Sequence, residues 1–111
     1  MVAAYVEATN NSDLDQLLAT FATDALVNDQ LRDYWGLAAI RVWAERDIVG
    51  VRLTMNVTKV IEHYGAFIIS ANVDGDFDKR GLPDPLVHAF YFTPNGDRIV
   101  QLVILRNRHD I

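Results

Sequence analysis

Three side chains could move a proton or stabilise a charge from within an apolar setting. Asp29, in Val27-Asn28-Asp29, ends a short β-compatible run just before a polar and aromatic stretch. His88 alternates in phase with Leu86, Phe90 and Phe92, which aims it at the apolar side of its strand. Tyr5 shares a helical stripe with Val2, Val6 and Thr9. A carboxylate, an imidazole and a phenol are groups that acid–base chemistry draws on. Each also has a plain structural use. An Asp at a strand end satisfies loop amides, a lone His among apolar residues is a hydrogen-bonded core residue, and a Tyr on an apolar stripe buries its ring with the hydroxyl satisfied. On the residues alone both uses stay open. Trp35, in Asp33-Tyr34-Trp35-Gly36, either stacks on a flat ligand or fixes the start of the next helix, whereas Trp43 reads as core.

Other chemistries are excluded by spacing. Asp74-Gly75-Asp76-Phe77-Asp78 resembles the start of a calcium loop, but the position that needs glycine holds Lys79 and the bidentate glutamate position holds Pro85. A solvated hairpin end with acidic turn formers accounts for it better. His63, His88 and His109 lack ligand spacing, so no metal site is expected. There is no HExxH, GxSxG, GxGxxG or P-loop.

The elements that must position these groups are legible in the periodicity. Val2–Asn10 has a helical stripe; Asn10-Asn11 breaks it, and Ser12 with Asp15 three residues on reads as a capping box for a second short helix carrying Leu14, Leu17, Leu18 and Phe21. Ala25–Asp29 is β-compatible, 30–35 reads as an irregular connection, and a third helix runs from Gly36 to a glycine C-cap at Gly50 with Ile40, Trp43, Ala44 and Ile48 on one face. After Gly50 the period changes from 3.6 to 2. Val51, Leu53, Met55 and Val57 alternate with polar residues, and a slip at Val60-Ile61 suggests a bulge or burial on both faces. Tyr64-Gly65 turns the chain into a strand with Phe67, Ile69, Ala71 and Val73 on one side. Gly75–Pro85 reads as a loop, Leu86–Phe92 as a strand, Thr93–Asp97 as a turn and Arg98–Arg106 as the returning strand, with Arg106–His109 a basic, solvated end. Helices followed by an antiparallel meander predict an α+β domain.

With 111 residues the chain fits one domain, 1–111, with a radius of gyration of roughly 13 Å. Zero cysteines remove disulfides, thiolate metal sites and a Cys nucleophile, and a net charge of -5 argues against nucleic acid, whose phosphates demand a basic face. No apolar run approaches membrane-spanning length, and Val2–Ala8 carries Glu7 and no basic segment, so neither a membrane anchor nor an export signal is expected. A cytoplasmic location follows as the expectation.

The pattern Tyr5-Val6-x-Ala8-x-Asn10-x-x-Asp13-Leu14-Asp15, then Phe21-Ala22-x-Asp24-Ala25-x-Val27-x-Asp29, then Gly36 with Ala39-Ile40-x-x-Trp43, resembles the nuclear transport factor 2-like superfamily, within it the SnoaL-like group. The Asn95-Gly96 turn also falls where that family has one, so the resemblance covers essentially the whole chain. It implies a cystatin-like cone: a curved antiparallel sheet wrapped over three N-terminal helices, with an apolar pocket for a small hydrophobic molecule. It also implies a homodimer through the outer sheet face, consistent with apolar residues such as Ile68, Val100 and Leu102 set against Phe67, Ile69, Ile99 and Val103.

Three positions match the ketosteroid isomerases of that superfamily. The match implies Asp29 as the carboxylate that shuttles a proton at carbon, Tyr5 as a phenol donating to the enolate oxygen, and His88 where the family places a protonated aspartic acid as second donor. Trp35, Asn28, Phe90 and Asn72 are the ligand-binding candidates. The epoxide-hydrolysing branch uses an Asp-Arg-Asp set; Asn72-Val73-Asp74 and Leu102-Val103-Ile104 lack its arginine and its second aspartate. The expectation is a small-molecule-binding domain acting, without cofactor or metal, as an isomerase or a polyketide-cyclase-like lyase, the alternative being a non-catalytic ligand-binding or dimerisation module.

Overall fold

The computed structural model describes residues 1–106; of the basic end only Arg106 is included, and 107–111, with His109, lie outside the described residues. Helix α1 (Val2–Asn10) and helix α2 (Leu14–Ala19) precede strands β1 (Phe21–Asp29) and β2 (Arg32–Trp35). Helix α3 (Gly36–Ala44) runs into a π-helical turn (Glu45–Val49), and β3 (Thr54–His63), β4 (Ala66–Asp74), β5 (Leu86–Asn95) and β6 (Arg98–Arg106) follow. All six strands form one sheet in the order β2-β1-β6-β5-β4-β3. The fold is α+β, with the helices packed against one face and a radius of gyration of 13.1 Å.

The sheet is mixed rather than wholly antiparallel, because β1 pairs in parallel with β6 while every other neighbour is antiparallel. The Thr20 carbonyl accepts the Ile99 amide at 2.8 Å, which draws Phe21 out of the α2 stripe and into the sheet beside Ile99. A sheet pairing distant in sequence thus overrides the local helical spacing.

The 30–35 stretch is not irregular: it is the turn and second strand of a tight hairpin. Gln30 and Leu31 both have positive φ, 52° and 70°, as a type I′ turn requires, although neither is a residue that favours it. Side chains compensate. The Gln30 amide donates to the Ile104 carbonyl at 3.3 Å and accepts the Arg106 amide at 3.1 Å, and Asn28 Oδ1 accepts the Leu31 amide at 3.2 Å.

Between α1 and α2 the cap is Asp13, not Ser12: its carboxylate accepts the Gln16 amide at 3.1 Å. Ser12 instead takes a left-handed φ of 51°, and the Asp13 amide reaches back to the Ala8 carbonyl at 2.9 Å, a Schellman closure of α1. Asn10 then clamps α1 to the edge strand, donating to the Met55 carbonyl at 3.0 Å and accepting the Met55 amide at 2.7 Å.

Gly50 is not a left-handed C-cap either. Its φ is −62°, and its amide bonds the Glu45 carbonyl at 2.8 Å, closing the π turn. A Cβ there would lie 2.7 Å from that carbonyl oxygen, so the position demands absence of a side chain rather than unusual φ. On β3 the register slips between Val57 and Lys59, three residues before the expected place, and Val60 and Ile61 are exposed.

Candidate functional site

The core under the sheet divides into a packed part and an open part. Tyr5, fully buried, sets its ring edge-on to Phe21 and Phe92 with centroids 6.1 and 5.2 Å away, and Phe90 lies 6.4 Å off. On its far side Phe90 faces a cavity of about 380 Å³. Strand alternation builds that wall. Asp29 pairs with Ile104 across β1–β6, Ile104 with Phe90 across β5–β6, and Arg106 with His88 one step further on, and all five line the cavity. The π turn supplies Asp47 and Ile48 from the opposite side, and the 75–85 loop supplies Phe77 and Leu82. That loop is tied down by the Asp76 amide on the Val51 carbonyl at 2.6 Å and by a Lys79–Asp74 ion pair at 2.8 Å.

Asp29 is held from one side. The Trp43 indole N–H donates to its Oδ2 at 3.0 Å, reaching across from α3. Oδ1 carries no hydrogen bond to a described residue, so one oxygen is anchored and the other is available. His88 is partly buried, and burial pushes its pKa below the ordinary value; the Asp29 charge pulls it up and Arg106 presses it further down. At neutral pH the imidazole is therefore uncharged and offers one N–H donor and one acceptor. A fixed carboxylate and a neutral N–H on one apolar wall can take a proton from carbon and stabilise the oxygen that gains charge.

The candidates from sequence divide accordingly. Asp29, His88 and Phe90 share the cavity. Tyr5 does not line it: the phenol sits behind Phe90, and its hydroxyl has no hydrogen-bond partner among the described residues. Burial, and secondarily the Asp29 charge, push the Tyr5 pKa well above its ordinary value, with Thr9 pulling weakly the other way. Asn28 points to the opposite sheet face, where it donates to Asp33 at 2.7 Å and supports the hairpin turn. Trp35 is 67% exposed at the β2–α3 junction, outside the cavity lining. Asn72 lines an adjoining space of about 840 Å³ with Asn10, Asn56 and Lys79, which shares Val73, Phe77, Leu82 and Leu86 with the first cavity but not Asp29 or His88. Among the described residues no three His, Cys, Asp or Glu side chains gather as a metal would need. The acidic run follows suit, with Asp74 and Asp78 taken by Lys79 and Arg80.

Sequence reasoning missed four residues of the site. Trp43 passed as plain core because its apolar stripe hid the indole N–H. Gln30 and Asp47 gave no signal, since a Gln-Leu turn and a π turn have no residue signature. Arg106 did give one. It lies inward with the buried Leu102 and Ile104 along β6, but in sequence Leu102 reads on the face opposite Val103 and Arg106 as the start of a basic tail.

No protein-family model and no curated protein sequence matches the chain. Solved structures do. A candidate polyketide cyclase from Sinorhizobium meliloti is 28% identical and superposes with a TM-score of 0.83 over 94% of this chain and 92% of that one. A protein with a ketosteroid isomerase-like fold from Catenulispora acidiphila, solved in complex with trimethylamine, is 20% identical at a TM-score of 0.79, covering 96% and 85% of the two chains. A candidate ketosteroid isomerase from Kribbella flavida is 12% identical at 0.78, covering 99% and 77%. The chain has the nuclear transport factor 2-like, ketosteroid isomerase-like fold. Within that fold the cavity lies between the sheet, the π turn and the 75–85 loop, where Asp29 and His88 stand. No helix among the described residues is long and apolar enough to cross a membrane.

Proposed function

We propose that this SnoaL-like domain binds a small, mostly apolar carbonyl compound in the 380 Å³ cavity and acts on it as a cofactor-independent isomerase or cyclase. The observation that carries the reading is the Asp29 carboxylate, anchored through one oxygen by Trp43 and set on the same wall as a neutral His88. Asp29 takes a proton from the carbon beside the carbonyl, and the C–H electron pair passes to the carbonyl oxygen. The His88 N–H bonds that enolate oxygen. Isomerisation ends when Asp29 returns the proton to another carbon; cyclisation ends when the enolate carbon attacks a second carbonyl and the new alkoxide takes the proton. Likeness to a candidate polyketide cyclase and a candidate ketosteroid isomerase supports this choice of chemistry.

A non-catalytic binding module is the second reading, favoured by one observation: the Tyr5 phenol, third member of the implied set, lies behind Phe90 rather than in the cavity. A thermal-shift screen against steroids, aromatic polyketides, terpenoid ketones and lactones finds the ligand class, since a ligand at 100 times its Kd adds about 2.7 kcal/mol, a shift of several degrees. On a substrate so found, Asp29→Asn lowers kcat by roughly 10²–10⁴-fold, the usual worth of a general base. Its Tm stays close to that of the wild type, because the amide oxygen still accepts the Trp43 N–H. Asp29→Ala strips that acceptor and costs about 1–3 kcal/mol. Unchanged turnover in Asp29→Asn would take the base role away from Asp29, and a ligand that binds but is never turned over would leave the binding module as the reading.

This reading also takes the domain to be a cytoplasmic homodimer. The outer sheet face carries Ile61, Ile68, Val103 and Leu105, not Leu102, which pairs with Phe92 and is buried in the core; it is apolar and only partly covered within one chain. Sedimentation equilibrium tests it, with a monomer at micromolar concentration as the contrary result.

A further inference from the structure

Arg106 lines the cavity without an ion pair to any described residue. Arg41, Arg46, Arg52 and Arg80 each face a carboxylate, at 3.0, 2.8, 3.9 and 2.8 Å. Arg106 lines the cavity, is partly buried, and has no carboxylate partner among the described residues. Of the acids in the lining, Asp47 is paired with the Arg46 guanidinium at 2.8 and 2.9 Å, and Asp29, held through one oxygen by the Trp43 indole, makes no ion pair with Arg106. The Gln30 side chain is occupied by the backbone of Ile104 and Arg106. Directly across β5–β6 stands His88, a second hydrogen-bond donor. A guanidinium withdrawn from water into an apolar lining is costly unless an anion meets it, and its planar fork fits a carboxylate through two parallel bonds. One guanidinium beside the His88 N–H suits a monoanion; a phosphate dianion would meet about twice the repulsion from Asp29 and Asp47.

We propose that Arg106 makes this cavity selective for carbonyl compounds that also carry a carboxylate, the acid group resting on Arg106 and the carbonyl turned toward Asp29 and His88. The inference rests on the reading of the cavity as a site for small carbonyl compounds, and the test separates the two. Isothermal titration compares 4-acetylbenzoate with its methyl ester on the full chain and on Arg106→Gln and Arg106→Lys. The acid is expected to bind the wild type at least tenfold tighter than the ester, to lose that preference in Arg106→Gln, and to regain part of it in Arg106→Lys. Ester binding with no preference for the acid, or a preference that survives in Arg106→Gln, overturns the role of Arg106 and leaves the cavity reading standing. Failure of both probes to bind overturns both. Should Arg106→Gln not fold, the wild type and Arg106→Lys decide: equal affinities for acid and ester overturn the proposal.

Discussion

Behind Phe90, the Tyr5 phenol is packed against aromatic rings and its hydroxyl, like that of the buried Thr9, has no well-formed hydrogen bond to a described residue, while in front of it Asp29, His88 and Arg106 line an open space. Both regions sit under the same face of the same sheet, and both carry groups that titrate. Burial acts on both, keeping the Tyr5 phenol protonated and the His88 imidazole neutral. What differs is access. In the sealed part the polar atoms are a local cost of packing large rings tightly; in the open part they can be met by a ligand. A polar side chain on an apolar stripe is therefore not by itself a site, and the space in front of it decides.

The largest effect comes from removing the partition. Phe90 touches Tyr5 on one side, lies 6.2 Å from the His88 ring, and lines the cavity on the other. Phe90→Ala is expected to cost about 3–5 kcal/mol through lost burial and the hole it leaves. In thermal melts that is a fall of about ten degrees or more. A loss under about 1 kcal/mol would mean the two regions already communicate and Phe90 divides nothing.

Tyr5→Phe sharpens the same comparison with a smaller effect. Deleting a buried hydroxyl whose one polar neighbour is Thr9, too poorly placed for a full hydrogen bond, is neutral or stabilising, by up to about 1 kcal/mol. The phenol's pKa is raised above its ordinary 10.0, so the unfolded chain ionises first. Wild-type stability thus holds below pH 10 and falls as pH rises beyond it, and Tyr5→Phe removes that part of the fall. Denaturant melts between pH 8 and 11 check both statements. A destabilisation of about 2 kcal/mol at neutral pH would show a bonded hydroxyl and return Tyr5 to the list of donors.

How much of this was legible beforehand follows the range of the forces involved. The long helices and the four strands from β3 to β6 are local in period and could be read directly; so could the inward aim of His88 and Phe90. The β1–β2 hairpin could not, because Gln30 and Leu31 take their turn only with help from Ile104 and Arg106, 74 and 76 residues away in the chain. Phe21 followed a helical stripe in sequence and joined the sheet in space, for the same reason. The family resemblance placed Asp29, but it grouped Tyr5 and Asn72 with it, and only packing separates the positions in front of Phe90 from those behind it or in the adjoining space. Trp43 could not be found as the partner of Asp29 without knowing which side of α3 faces the end of β1.

The smallest effect belongs to the open part and concerns pH. Burial lowers the His88 pKa below its ordinary 6.5, with Arg106 adding to the fall and Asp29 opposing it. The unfolded chain therefore binds a proton at His88 before the folded one does. Stability rises with pH wherever the unfolded state holds more protons, so this contribution is complete above 6.5 and is lost as pH falls from 6.5 toward the lower folded value. Denaturant midpoints across that window should decline in the wild type and decline less in His88→Gln, which cannot titrate. In Arg106→Gln the decline should also shrink, since one of the influences holding the imidazole neutral is gone. An identical slope in all three proteins would mean that His88 meets water freely, and the contrast between a sealed and an open polar region would then need a different boundary than Phe90.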